Sequence, residues 1–340
     1  MGQGVNGMKY RRIGEIGKEA SVICLGTGAF GASVGEQEAF ALMDAFLDGG
    51  GNFLDTAHNY SDWIPGERSR SEKLIGRWLK ARGNRASIVL GTKGGHPDLN
   101  NMRVPRLSSA EIVQDLDESL QFLQTDYIDL YWLHRDDPTR PVAEILETLD
   151  GQRRLGKIRG YGCSNWSIAR IEEARSYAAK HGLQGFVASQ PMWSLAEPNE
   201  SGISDKTMTH MDDEGFAYHL RTGLAAIPYS SQAKGFFTKA DTLGYDQVPK
   251  ALLSKYGNER NRARLGVAQR IAGERSVSVA QVALGFLVAQ PFTTIPIVGC
   301  KTLEHLRESM DAADLSLTEG ELRELSLAAG RDGGTGEVAQ

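Results

Sequence analysis

Side chains able to hold or move a proton stand at the ends of successive apolar runs. Asp55 lies in NFLDTA and is followed by Tyr60, Lys93 closes SIVLGTK, and His134 closes YIDLYWLH. A carboxylate, a phenol, an amine and an imidazole gathered in one place can do general acid–base work, and a lysine so placed can also form a Schiff base with a carbonyl. Each residue alone has a plainer role: an Asp at a strand end caps a helix or forms a turn, and a His there is often a hydrogen-bonded core residue. Together on successive strands they point to a shared use, because burying such groups without partners is costly.

The elements that must position them follow from hydrophobic pattern. Short apolar runs predict strands at 21–27, 52–57, 87–93, 127–134, 158–164, 186–191, 224–230 and 293–298, after a hairpin at the N-terminus. Nearly every position in these runs is apolar, as in parallel strands buried on both faces. Amphipathic stretches lie between them. In 108–123, Ile112, Val113, Leu116, Leu120 and Leu123 recur at helical spacing, with Ser108 and Glu111 placed as a capping box, and 142–155 repeats the pattern. Eight strand–helix units predict an α/β fold of the (β/α)₈ barrel type, with an N-terminal β-hairpin and the strand ends converging at one C-terminal mouth. Residues 193–211 and 231–257 break the repeat and read as long loops on that face.

One motif competes with this reading. Gly26-Thr27-Gly28-Ala29-Phe30-Gly31 is a G-x-G-x-x-G after a strand, and the next strand ends in Asp55, as in a Rossmann dinucleotide site. There the helix opens within the glycines, whereas here the helical pattern starts near Gly35. The segment reads instead as a tight turn.

Composition narrows the function classes. The 340 residues carry 38 Lys plus Arg against 43 Asp plus Glu, a net charge of −5, with 41% hydrophobic residues. A mildly acidic chain without a basic stripe is a poor nucleic-acid or membrane binder, and no apolar run spans a bilayer. Cys24, Cys163 and Cys300 are dispersed and lack metal-ligand spacing, so we expect reduced thiols, no metal and a cytoplasmic location; the first residues lack the apolar core of a secretion signal. A single domain is expected over 8–328, with flexible termini at 1–7 and 329–340.

The motifs LGTGAFG, D-T-A-x-x-Y from Asp55 to Tyr60, GTK ending at Lys93, LHRDDP from Leu133 and GCSNW from Gly162 resemble those of the aldo-keto reductase family over roughly residues 8–328. The resemblance implies a barrel that binds NADPH across its mouth, NADH being the alternative, and transfers a hydride between the nicotinamide and a carbonyl or alcohol. It also implies a catalytic tetrad of Asp55, Tyr60, Lys93 and His134. Tyr60 would protonate the carbonyl oxygen. A free phenol ionises only near pH 10, and a neighbouring lysine cation favours the phenolate. Asp55 would hold Lys93 charged, and His134 would hydrogen-bond the carbonyl oxygen.

By the same resemblance, Ser164, Asn165 and Gln190 would contact the nicotinamide carboxamide, and Tyr229 would stack on its ring. Gly26, Thr27 and Asp55, with Ser230, Gln232 and Lys234, would border the cofactor. In GCKTLEHLRES, Gly299, Lys301 and Thr302 would reach phosphate, with His305, Glu308 and Ser309 toward the adenosine. A cation at Lys301 favours a 2′-phosphate and hence NADPH. Trp63, Trp166 and Trp193 are expected at the substrate rim, where aromatics stack on sugars or aryl aldehydes alike. Arg135, Asp136 and Asp137 read either as polyol-binding groups or as a salt-bridged loop. The partner is then a small-molecule carbonyl or alcohol, with oligomeric state open. Two other functions remain: a nicotinamide-binding redox-sensing regulatory subunit, and an aldolase using Lys93 as a Schiff-base residue.

Overall fold

The computed structural model describes residues 7–327. An antiparallel hairpin, β1 (Tyr10–Arg12) and β2 (Glu19–Ser21), opens the chain. Parallel strands follow: β3 (Cys24–Gly26), β4 (Phe53–Asp55), β5 (Val89–Gly94), β6 (Ile128–Leu133), β7 (Ile158–Ser164), β8 (Ala188–Gln190), β9 (Ala225–Ala226) and β10 (Ile297–Val298). They pair in the order β10-β3-β4-β5-β6-β7-β8-β9. The ring closes where Ala226 N–H donates to Thr293 O (2.9 Å) and Ile295 N–H to Ala226 O (3.0 Å). This is the expected (β/α)₈ barrel, with its N-terminal hairpin.

Six helices return the chain between consecutive strands: α1 (Glu36–Asp48), α2 (Arg70–Arg82), α3 (Ser109–Leu123), α4 (Val142–Arg154), α5 (Ile168–His181) and α6 (Asp213–Thr222). Helix α3 starts as its sequence predicts. Ser108 Oγ accepts from Glu111 N–H (3.3 Å) while Glu111 Oε2 accepts from Ser108 N–H (3.0 Å), satisfying two otherwise orphaned donors. Between β9 and β10 lie α7 (Phe236–Leu243), α8 (Lys250–Tyr256), α9 (Glu259–Arg275) and α10 (Val279–Val288); α11 (Leu303–Asp311) and α12 (Glu319–Leu327) follow β10.

The barrel is closed below and open above. Ile13 and Ile16, from the turn between β1 and β2, are fully buried in one cluster with Phe53 and Val89, which start β4 and β5, and with Leu130 and Trp132 of β6. Their burial plugs the N-terminal end and leaves the C-terminal mouth as the accessible one.

Two expectations need correction. The stretch 231–257 is not irregular loop: it folds into α7 and α8, because Phe236, Phe237, Ala240 and Tyr256 bury against α9 and α10. Its apolar spacing is too brief to stand out among polar neighbours. The first strand is also shorter than 21–27, since Ser21 pairs with Tyr10 in the hairpin. The glycine segment after β3 is a turn: α1 begins only at Glu36, and Gly31 has φ 73° with its Cα hard against Arg70, so that a Cβ there would lie 2.7 Å from the Arg70 Cβ. Among the described residues no single helix is long and apolar enough to cross a membrane. The expected flexible termini lie outside the described residues, apart from Gly7.

Candidate active site

The barrel brings the four proton-handling residues together. Asp55 ends β4, Lys93 lies one residue from the end of β5, and His134 follows β6, its N–H bonded to Gly94 O (2.9 Å). Tyr60 hangs from the loop after β4. Lys93 Nζ donates to the Asp55 carboxylate, to Thr56 O (2.7 Å) and to Tyr60 Oη (3.1 Å). Asp55 and Lys93 are each 1% exposed. Burial works against the lysine charge, but Asp55 and the Tyr60 oxygen more than offset it and hold its pKa above the usual lysine value.

His134 sits edge-on to Tyr60, with ring centroids 6.1 Å apart. Burial, reinforced by His96, Lys93 and Arg135, pulls its pKa well below the usual imidazole range, so the ring is neutral. Its Nδ1 is buried without a hydrogen-bond partner. A bare lone pair near the Lys93 cation is cheaper to bury than an orphaned N–H, so we assign the proton to Nε2, which is then a donor.

The residues expected at the carboxamide, with Tyr229, form one hydrogen-bonded chain that starts at Asp55. Gln190 Nε2 donates to Asp55 Oδ2 (3.1 Å), Ser164 Oγ to Gln190 O (2.8 Å), Asn165 Nδ2 to Ser164 Oγ (3.0 Å) and Tyr229 Oη to Asn165 Oδ1 (2.7 Å). Asn165 Nδ2 also holds His134 O (3.1 Å), and the Asn165 backbone is left-handed (φ 62°). Their polar atoms are thus largely engaged with one another.

Tyr60 and Tyr229 line a cleft of about 770 Å³ that runs from the tetrad past Gly26, Ser230, Gln232 and Lys234 to Gly299, Lys301, His305 and Glu308. The segment after β9 shapes its wall. Ser230, Ala233, Lys234 and Gly235 have φ of 54°, 47°, 55° and 73°. Three of these are non-glycine residues in a left-handed conformation, each costing on the order of 1 kcal/mol or more. The turn is stitched in place: Ser231 Oγ donates to Ile297 O (2.5 Å) at β10, and Gln232 Nε2 to Ser309 Oγ (3.2 Å) on α11. The turn ends at Gly235, the N-cap of α7, and Thr302 caps α11 by accepting from His305 N–H (3.2 Å).

Other expected residues do not face this cleft. Thr27 is fully buried, its N–H and Oγ1 both donating to Asp55 O (3.0 Å each). Ser309 is 1% exposed and ties α11 to Gln232. Trp166 and Trp193 correct the expectation of an aromatic rim. Trp166 is 3% exposed, packed edge-on against Phe186 at 5.1 Å, and Trp193 lies among Phe216, Phe286 and Phe292. Both rings bury because apolar partners from distant segments surround them. Trp63, by contrast, is 56% exposed at the mouth. Arg135, Asp136 and Asp137 form a salt-bridged loop: Arg135 pairs with Asp205 (3.0 Å), Asp136 with Arg170 (3.3 Å) and Asp137 with Arg140 (3.7 Å). Sequence reasoning missed Lys239, which lines the cleft from α7, and His96, whose ring lies 4.6 Å from that of His134. The brief apolar spacing of α7 was the one available signal for Lys239.

Comparison with known proteins agrees with this geometry. The model of the aldo/keto reductase family matches residues 22–328. An uncharacterized oxidoreductase of Bacillus subtilis (strain 168), YrpG, is 34% identical over 94% of this chain and 95% of that protein. Norsolorinic acid reductase B of Aspergillus parasiticus is 30% identical over 94% of this chain and 84% of its own, and protein tas of Escherichia coli (strain K12) 28% over 94% and 96%. With its family match spanning nearly the whole barrel, the chain belongs to the aldo/keto reductase family of oxidoreductases.

Proposed function

We propose that this protein is an NADP(H)-dependent oxidoreductase that interconverts a small carbonyl compound and its alcohol. The observation that carries the reading is the cleft joining Tyr60 to Lys234, Lys239 and Lys301. Among the described residues none of these lysines forms an ion pair with an acidic residue, although the chain as a whole is acidic at −5; Lys239 Nζ donates to Lys234 O (2.6 Å). Unpaired cations beside a strained turn and the capped start of α11 suit an elongated ligand carrying several phosphates. When bound there, the dinucleotide supplies or accepts the hydride.

The remaining chemistry belongs to the protein. The phenol of Tyr60 delivers a proton to the carbonyl oxygen as negative charge develops, and Lys93 stabilises the phenolate left behind. Asp55, anchored by Gln190, holds the lysine charged and aimed. His134, neutral and donating from Nε2, hydrogen-bonds the same oxygen. Lys301 favours a 2′-phosphate and therefore NADPH over NADH. The aldolase alternative fares poorly, because a Schiff base requires a free amine and all three Lys93 donors are engaged. Three buried, unpaired cysteines support a reducing compartment, the cytoplasm.

Fluorescence titration with NADPH and NADH, followed by aldehyde-dependent oxidation of NADPH, tests the reading. Binding of NADPH with turnover of simple aldehydes is expected. Binding without turnover of any carbonyl or alcohol would point to the sensor function, and binding of neither nucleotide would overturn the assignment of the cleft.

A further inference from the structure

A second cavity, of about 700 Å³, has Lys93, His96, Trp63 and Asn100 in its wall and lies apart from the dinucleotide cleft. His96 links it to the chemistry through its ring contact with His134, 4.6 Å between centroids. Trp63 links it to the cleft, since that ring also borders a hollow shared with Gly28, Ala29 and Lys301.

The hydrogen bonding of His96 fixes what it can offer a ligand. Nδ1 lies 2.7 Å from Pro97 O, a carbonyl that can only accept, so Nδ1 carries the proton. Burial lowers the pKa of the ring, which is therefore neutral. Nε2 is then a lone-pair acceptor, and among the described residues it has no hydrogen-bond partner and is not one of the fully buried, unpartnered polar atoms. It can take a hydrogen bond from a hydroxyl but not from a carboxylate.

The charges of the cavity exclude anions as well. Arg68 is paired with Asp62 (3.2 Å), Arg106 with Asp115 (2.8 Å) and Lys93 with Asp55. Asp98 adds a further carboxylate to the wall, while Glu118 lies 2.8 Å from His58 Nε2. No cation is left over, so a substrate carboxylate would meet net negative charge without a partner. The exposed rim is mixed: Arg68, Asp98 and Asn100 stand beside Trp63 (56% exposed) and Leu99 (40% exposed), whose apolar surface suits the C–H face of a hydroxylated chain.

We propose that His96 is a specificity-determining residue that accepts a hydrogen bond from a hydroxyl next to the reacting carbonyl, so that the enzyme selects neutral hydroxy-carbonyl substrates and rejects carboxylated ones. The proposal rests on the carbonyl-reductase reading for its turnover arm but not for its binding arm. The turnover arm compares glyceraldehyde with propanal, and benzaldehyde with 4-carboxybenzaldehyde, by kcat/KM. Glyceraldehyde and benzaldehyde are each expected to be preferred by about tenfold or more. H96F keeps a ring against His134 but removes the acceptor, and should cut the glyceraldehyde-to-propanal ratio about tenfold. H96Q, which retains an acceptor, should restore part of it. An unchanged ratio in H96F, or equal losses on both aldehydes, would overturn the proposal.

The binding arm follows xylitol by saturation-transfer NMR on the wild-type and H96F proteins without added nucleotide. Contact in the wild type that weakens in H96F supports the site even if no carbonyl is turned over, in which case only the hydride-transfer reading fails. Xylitol contact of equal strength in both proteins would count against His96 whatever the activity.

Discussion

Lys93 has three donors, and each is taken by an oxygen that another part of the fold supplies: Asp55 from β4, Thr56 from the peptide beyond it, and Tyr60 from the loop. An ammonium held this way is a fixed charge rather than a nucleophile, and its purpose is legible in the one partner that faces the cleft, Tyr60. Replacing Tyr60 with Phe removes the transferable proton and leaves the ring against Gly28. Turnover should fall by roughly 10² to 10⁴-fold with the NADPH dissociation constant unchanged, as read by steady-state kinetics and fluorescence titration. Retained turnover would sink the proton-donor role. Lys301 makes a different kind of contribution, to binding and not to chemistry. Lys301→Ala is expected to weaken NADPH by about tenfold while hardly affecting NADH, the signature of a lost contact to the 2′-phosphate. Equal weakening of both nucleotides would move Lys301 to the pyrophosphate.

At the scale of elements, α2 packs onto the barrel through an acid that the site does not use. Glu72 is fully buried, and Thr92 Oγ1 donates to its Oε1 at 2.5 Å. Burial pushes its pKa from 4.5 to about 7, in spite of nearby His58 and the Thr92 bond. The folded protein therefore holds this proton more tightly than the unfolded chain. Stability from this group is greatest below pH 4.5 and is lost as pH rises toward about 7, by on the order of 3 kcal/mol in full. Glu72→Gln stays neutral and can still accept from Thr92, so its melting temperature should exceed that of the wild type increasingly between pH 5 and pH 8. A gap that does not vary with pH would show that Glu72 ionises freely in the native state. Elements differ in how far local sequence announces them. The start of α3 is written in Ser108 and Glu111, because a capping box closes within one turn. Helix α7 is not, because its eight residues become amphipathic only once α9 and α10 supply a surface for Phe236 and Phe237.

Over the whole molecule, the cleft is lined by segments far apart in the chain: β3, the turn after β9, and α11. A ligand bridging them stabilises the folded barrel and not the unfolded chain. NADPH at about a hundredfold excess over its dissociation constant should add about 2.7 kcal/mol and raise the melting temperature in one cooperative transition. A cofactor-independent melting temperature would contradict the assignment of the cleft. Eight apolar runs alternating with helical patterns were enough to specify a barrel and to place Asp55, Lys93 and His134 at its mouth, since strand direction alone carries a strand-end residue there. Tyr60 followed from its nearness to Asp55 in the chain. Side-chain pairing was beyond the reach of local pattern. Gln190 meets Asp55 across 135 residues, Trp166 and Trp193 turn inward because phenylalanines from distant segments enclose them, and His96 finds His134 only where two neighbouring strand ends meet. The chain's periodicity determines which elements form and in what order, because that depends on near neighbours. Which polar atoms are satisfied and which remain free for a ligand depends on contacts between residues far apart, and only the closed barrel decides those.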